Sequence, residues 1–75
     1  MRATATLSLC GRFVDLHDGA WGERFPVALL DQRIAFYERL AERISPRLRV
    51  SHRASYQPTI DALRAVQRQL EARAA

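Results

Sequence analysis

The side chains able to do covalent or acid–base chemistry are few: Cys10, His17, His52 and a thin set of carboxylates. A metal site needs three or four converging ligands, and the chain has neither CxxC nor HxxxH spacing. Cys10 and His17, with Asp18 to orient the imidazole, would make a nucleophile and its base. The elements that must carry them argue against that pairing. Ala3, Ala5, Leu7 and Leu9 alternate with Thr4, Thr6 and Ser8, a period-2 strand with one apolar face. After Cys10-Gly11 the apolar phase moves by one, to Val14 and Leu16. A two-residue turn at Cys10-Gly11 accounts for the move, setting Leu7 opposite Val14 and Ala5 opposite Leu16, with Gly11 at positive φ. The competing form is one long strand with a bulge at Gly11. In the hairpin Cys10 is at the tip and His17 near the open end, about 17 Å away. No Gly-rich phosphate loop is present either. Without a nucleophile, base and orienter in reach of one another, the sequence reads as non-enzymatic, with no cofactor and no metal.

The remaining elements follow from turn and helix punctuation. His17-Asp18-Gly19 reads as a turn and Trp21–Phe25 as a connecting loop. Trp21 in that loop is either a lid over the core or an anchor for a partner. Pro26 suits a helix start, and Pro46 disfavours helix in the residue before it, so the first helix is expected over about 26–45. Arg47–Ser51 alternates again and reads as a third strand, and Pro58 opens a second helix to about residue 73. The expectation is an α+β single domain over 1–75, order ββαβα. Its strands fall at about 3–9, 12–17 and 47–51 and its helices at about 26–45 and 58–73. Three antiparallel strands would carry two helices on one face. A helix-turn-helix is excluded, because the connection between the helices is far longer than that motif's turn.

Composition bounds the partners. The chain has 75 residues, 48% of them hydrophobic, and a formal charge of +4. A domain this small buries only about 60% of its unfolded surface, so a partner surface is a common supplement. One cysteine cannot close an internal disulfide, which points to a cytoplasmic protein. No apolar run reaches the roughly 20 residues of a membrane span, so no membrane is expected as a partner. Acids and arginines balance through residue 45, and the net positive charge lies entirely in residues 46–75. Arg47, Arg49, Arg53, Arg64 and Arg68 form a candidate basic surface, and Phe13 is a candidate base-stacking aromatic on the outer sheet face.

The first helix is more apolar than one contact requires. Leu29, Leu30, Ile34, Phe36, Tyr37, Leu40 and Ile44 spread over an arc of about 180°, where packing on one core takes little more than 100°. Arg33 lies inside that arc. A side of the arc that includes Leu29, Arg33, Phe36 and Leu40 is therefore the candidate partner interface, through which a homodimer is expected. The functional expectation is a small, dimeric regulator or inhibitor that docks on a larger protein or nucleoprotein target. Bacterial and phage regulators carried by mobile elements, such as anti-CRISPR proteins, are the analogy for size and simplicity. The alternative is a small nucleic-acid-binding module that uses the basic surface and the sheet face.

Overall fold

The computed structural model describes residues 3–44 and 52–74. Strands β1 (Ala3–Leu7), β2 (Phe13–Asp18) and β3 (Trp21–Pro26) form an antiparallel sheet in the order β1-β2-β3. A short 3₁₀ turn, Val27–Leu29, leads into helix α1 (Leu30–Glu42), and α2 (Arg53–Ala74) closes the chain. The architecture is α+β, a three-stranded antiparallel sheet followed by two helices.

The β1–β2 register pairs Leu7 with Val14 and Ala5 with Leu16, as the phase shift requires. The connection is one step wider than a two-residue turn. Gly11 N–H donates to the Ser8 carbonyl, Ser8 N–H donates to the Phe13 carbonyl, and Leu9 stands fully exposed at the tip. Gly11 adopts φ 72°, a conformation costly for a residue with a Cβ.

The second hairpin corrects the sequence reading. Trp21–Pro26 is a strand, not a loop. It pairs with β2 through Asp18↔Trp21, Leu16↔Glu23 and Val14↔Phe25, around a two-residue turn with Gly19 at φ 64°. Pro26 belongs to this edge strand rather than to the helix; an edge position tolerates the missing N–H. Among the described residues the third strand therefore precedes both helices, in the order βββαα. The strand expected at 47–51, with Arg47 and Arg49, lies outside the described residues.

Both helices differ in extent from the expectation. α1 begins at Leu30 and ends at Glu42, because Arg43 is already extended at ψ 136°. α2 begins at Arg53, so Pro58 lies inside it rather than at its start. The carbonyl of His52 accepts from the N–H groups of Ser55 and Tyr56 and starts the helix upstream of the proline. Gln57 then accepts from Arg53 (2.7 Å) and donates to Asp61 (2.8 Å), an i, i+4 ladder that spans the proline.

One face of the sheet carries Val14, Leu16 and Phe25 into a core completed by Leu30, Ile34, Tyr37 and Ala41 of α1 and Ile60, Leu63 and Val66 of α2. Both helical sets follow i, i+3/i+4 spacing, so each helix presents one stripe inward. Among the described residues no buried side-chain nitrogen or oxygen lacks a hydrogen-bond partner. No helix there is long and apolar enough to cross a membrane.

Candidate functional site

Alternation along β2 and β3 decides what reaches the end of the sheet. Counting outward from Val14 and Phe25, the helix-facing positions are Leu16 and Asp18 on β2 and Glu23 and Trp21 on β3. Asp18 and Trp21 are thus cross-strand neighbours flanking the Gly19-Ala20 turn. Tyr37 and Leu40 of α1 and Tyr56 and Thr59 of α2 converge on the same end. Together the six residues line an open cleft of about 290 Å³. Tyr37 and Tyr56 meet with ring centroids 6.1 Å apart, and Phe36 stands edge-on to Tyr37 at 5.3 Å. Trp21 remains 48% exposed, so it is a wall of the cleft and not a lid sealed over the core.

The cleft has a definite electrostatic character. Burial raises the Tyr37 hydroxyl above its ordinary pKa, and the carboxylates of Glu23 and Asp18 push it further, with Arg33 opposing. Glu23 is held by Arg33 at 2.5 Å. Asp18 forms no ion pair among the described residues. The cleft is therefore aromatic and acidic on a chain whose net charge is positive. A larger hollow of about 500 Å³ lies along Gln32, Ala35, Glu38, Arg39 and Glu42. Its lining residues all belong to α1, with acids and a base side by side.

The four residues expected to form a partner interface are only partly free. Leu29 and Leu40 are half-buried against the core, and Phe36 is 42% exposed. Arg33 turns inward: its guanidinium stacks over Phe25 at 5.5 Å while it binds Glu23. That pairing lets an arginine sit within the apolar arc.

Arg47 and Arg49 of the basic surface lie outside the described residues; of the other three, two have partners within the molecule. Arg64 pairs with Glu38 across the two helices. Arg53 donates to Gln57 and lies 3.9 Å from Glu42. Arg68 is exposed on the outward side of α2. On the outer sheet face Phe13 is covered by Arg24, whose guanidinium sits 5.7 Å from the ring centroid. Arg24 also grips both oxygens of Asp15, at 2.6 and 3.1 Å. Its hydrogen bonds and charge hold the Asp15 carboxyl below the usual carboxylate range. Asp15 thereby cancels the nearest cation to Phe13.

Cys10 and His17 sit at opposite ends of the first hairpin, and no described group of three His, Cys, Asp or Glu side chains is placed to hold a metal. The imidazole of His17 lies over Gly22, where a Cβ would come within 2.8 Å of Nδ1. His52 is exposed and serves through its backbone at the start of α2.

No protein-family model, curated protein or solved structure matches the chain. The site must therefore be read from its own geometry. Tyr37, Tyr56 and Thr59 carry no local sequence signal as site residues, and Asp18 stands out only as a possible orienter of His17. The signal that identifies the cleft is the alternation Val14/Leu16/Asp18 against Trp21/Glu23/Phe25 around an Asp-Gly turn.

Proposed function

We propose that this chain is a non-enzymatic binding protein that docks on a larger protein, and regulates it, through the aromatic end formed by Trp21, Phe36, Leu40 and Tyr56. The observation that carries the reading is the clustering there of two exposed aromatic side chains, Trp21 and Phe36, with the half-buried Leu40 and Tyr56. Trp21 and Leu40 share the cleft, and Phe36 lies one helical turn from Leu40. Aromatic residues around a partly enclosed pocket are the composition of binding hot spots. A second copy of the chain is the less favoured occupant. Leu29 and Leu40 are half-spent on the core and Arg33 is bound to Glu23, which leaves Phe36 as the one largely exposed member of the expected α1 interface. The nucleic-acid reading draws less support, since Arg24, Arg53 and Arg64 each have an internal partner.

Tagged protein recovered from its native host at moderate salt should retain one stoichiometric protein. Phe36→Glu and Trp21→Ala should each release it, and Arg68→Ala should not. Both changed side chains are substantially exposed, so cooperative unfolding should persist. Retention that ignores Phe36→Glu and Trp21→Ala overturns the proposal. So does strong retardation of DNA or RNA that falls with salt by a log–log slope near −0.9 per phosphate contacted and is abolished by Arg68→Ala. Light scattering that shows a dimer sensitive to Phe36→Glu would make a second copy the partner.

A further inference from the structure

Twice in this small molecule an arginine is held by the same pair of groups, a carboxylate and an aromatic face. On the outer sheet face Arg24 binds Asp15 and lies over Phe13. On the inner face Arg33 binds Glu23 and lies over Phe25. At the end of the sheet the same ingredients recur a third time: Asp18 stands beside Trp21, Tyr37 and Tyr56 around an open volume of about 290 Å³. In this third set no arginine among the described residues supplies the cation.

We infer that the cleft is a guanidinium site, which takes an arginine side chain of the partner protein. The inference deepens the docking reading by naming the chemistry recognised at its centre. A guanidinium is planar and weakly hydrated, so it stacks on an aromatic face while its N–H groups donate to a carboxylate in plane. Asp18 provides the two acceptor oxygens, the rings of Trp21 and Tyr56 provide the faces over a floor set by the buried Tyr37, and Leu40 covers the aliphatic stem. Thr59 adds a hydroxyl at the cleft wall. Asp18 forms no ion pair among the described residues while Glu23 is paired with Arg33, so the Asp18 carboxylate is the cleft's own charge, and it favours a cation over a neutral or anionic occupant. The site gives the partner's bound segment a stated chemistry: an exposed arginine with apolar neighbours for Phe36 and Leu40.

Trp21, the single tryptophan of the chain, is a built-in fluorescent reporter for the site. The probes are n-butylguanidinium and its neutral near-isostere n-butylurea, added to the unaltered protein at constant ionic strength. Butylguanidinium should change the Trp21 emission saturably, with butylurea at least about tenfold weaker, the discrimination expected of a cation over an aromatic face beside a carboxylate. Asp18→Asn should lower the butylguanidinium affinity by a similar factor while the thermal transition stays cooperative. Backbone amide shifts of Trp21, Tyr37 and Tyr56 in NMR spectra should move with the same titration, which separates binding in the cleft from simple quenching. Equal response to the urea, or an Asp18→Asn variant that binds butylguanidinium as well as the parent, overturns the inference. Either result leaves the docking reading intact, because that rests on partner retention and the Phe36→Glu variant. In the converse case butylguanidinium binds but does not displace the captured partner, and the arginine does not come from that partner.

Discussion

Cys10 is exposed at the first hairpin's tip, and its pKa is lowered chiefly by the Ser8 hydroxyl 3.3 Å away, then by the backbone N–H of Arg12. A hydrogen bond to sulfur favours the thiolate, the reactive form. The thiol should therefore alkylate with a pH midpoint below that of the urea-unfolded chain. Ser8→Ala should move the midpoint back up, read by the rate of iodoacetamide labelling against pH. An unchanged midpoint would mean that the hydroxyl does not face the sulfur in solution. The fate of Arg33 belongs to the same scale. Its position in the apolar arc follows from periodicity, but Glu23, ten residues away, sits in a segment whose composition reads as a loop. The ion pair became visible only when β3 aimed Glu23 at the helices.

Among the elements, β3 and the start of α2 depart furthest from the sequence reading, for opposite reasons. β3 contains Gly22, an edge Pro26 and two charges, so its β-propensity is low; pairing with β2 overrides that. Gly22 has a local cause in the His17 ring above it. α2 carries Pro58 in its interior, which removes a bond to the Ala54 carbonyl and would ordinarily end a helix. The segment before it stays helical because Tyr56 packs on Tyr37 and the Arg53–Gln57–Asp61 ladder bridges the proline. Replacing Pro58 with Ala should restore the missing bond and stabilise the fold by about 1–3 kcal/mol, less than the full helix-interior penalty because the unfolded chain also gains freedom. Urea unfolding would measure it, and a destabilised variant would show that the proline shapes the packing of Tyr56 on Tyr37.

Across the whole molecule, stability and binding draw on different apolar residues. Leu63 is fully buried between the helices and the sheet, whereas Phe36 and Ile44, at 66%, are substantially exposed. Leu63→Ala should cost about 2–5 kcal/mol, a large share of the stability of a domain this size. Phe36→Ala should cost less than about 1 kcal/mol and yet abolish partner retention. Matched urea titrations of the two variants test that separation. The charge distribution also reads differently at this scale. Two arginines of the positive tail, Arg53 and Arg64, meet Glu42 and Glu38 of α1, within residues 1–45 whose own charges balance.

By itself the sequence determined what short periods encode: the β1–β2 register, the inward stripes of both helices and the α+β class. Each of these depends on residues two to four positions apart, and their burial follows from apolar spacing alone. Only the tertiary structure decided which charges are neutralised and where a cleft opens. Asp18, Trp21, Tyr37 and Thr59 come from four different elements, and no local pattern states that those elements meet. The meeting is set by the second hairpin, which turns Asp18 and Trp21 toward the helices, and by the packing of Tyr56 on Tyr37.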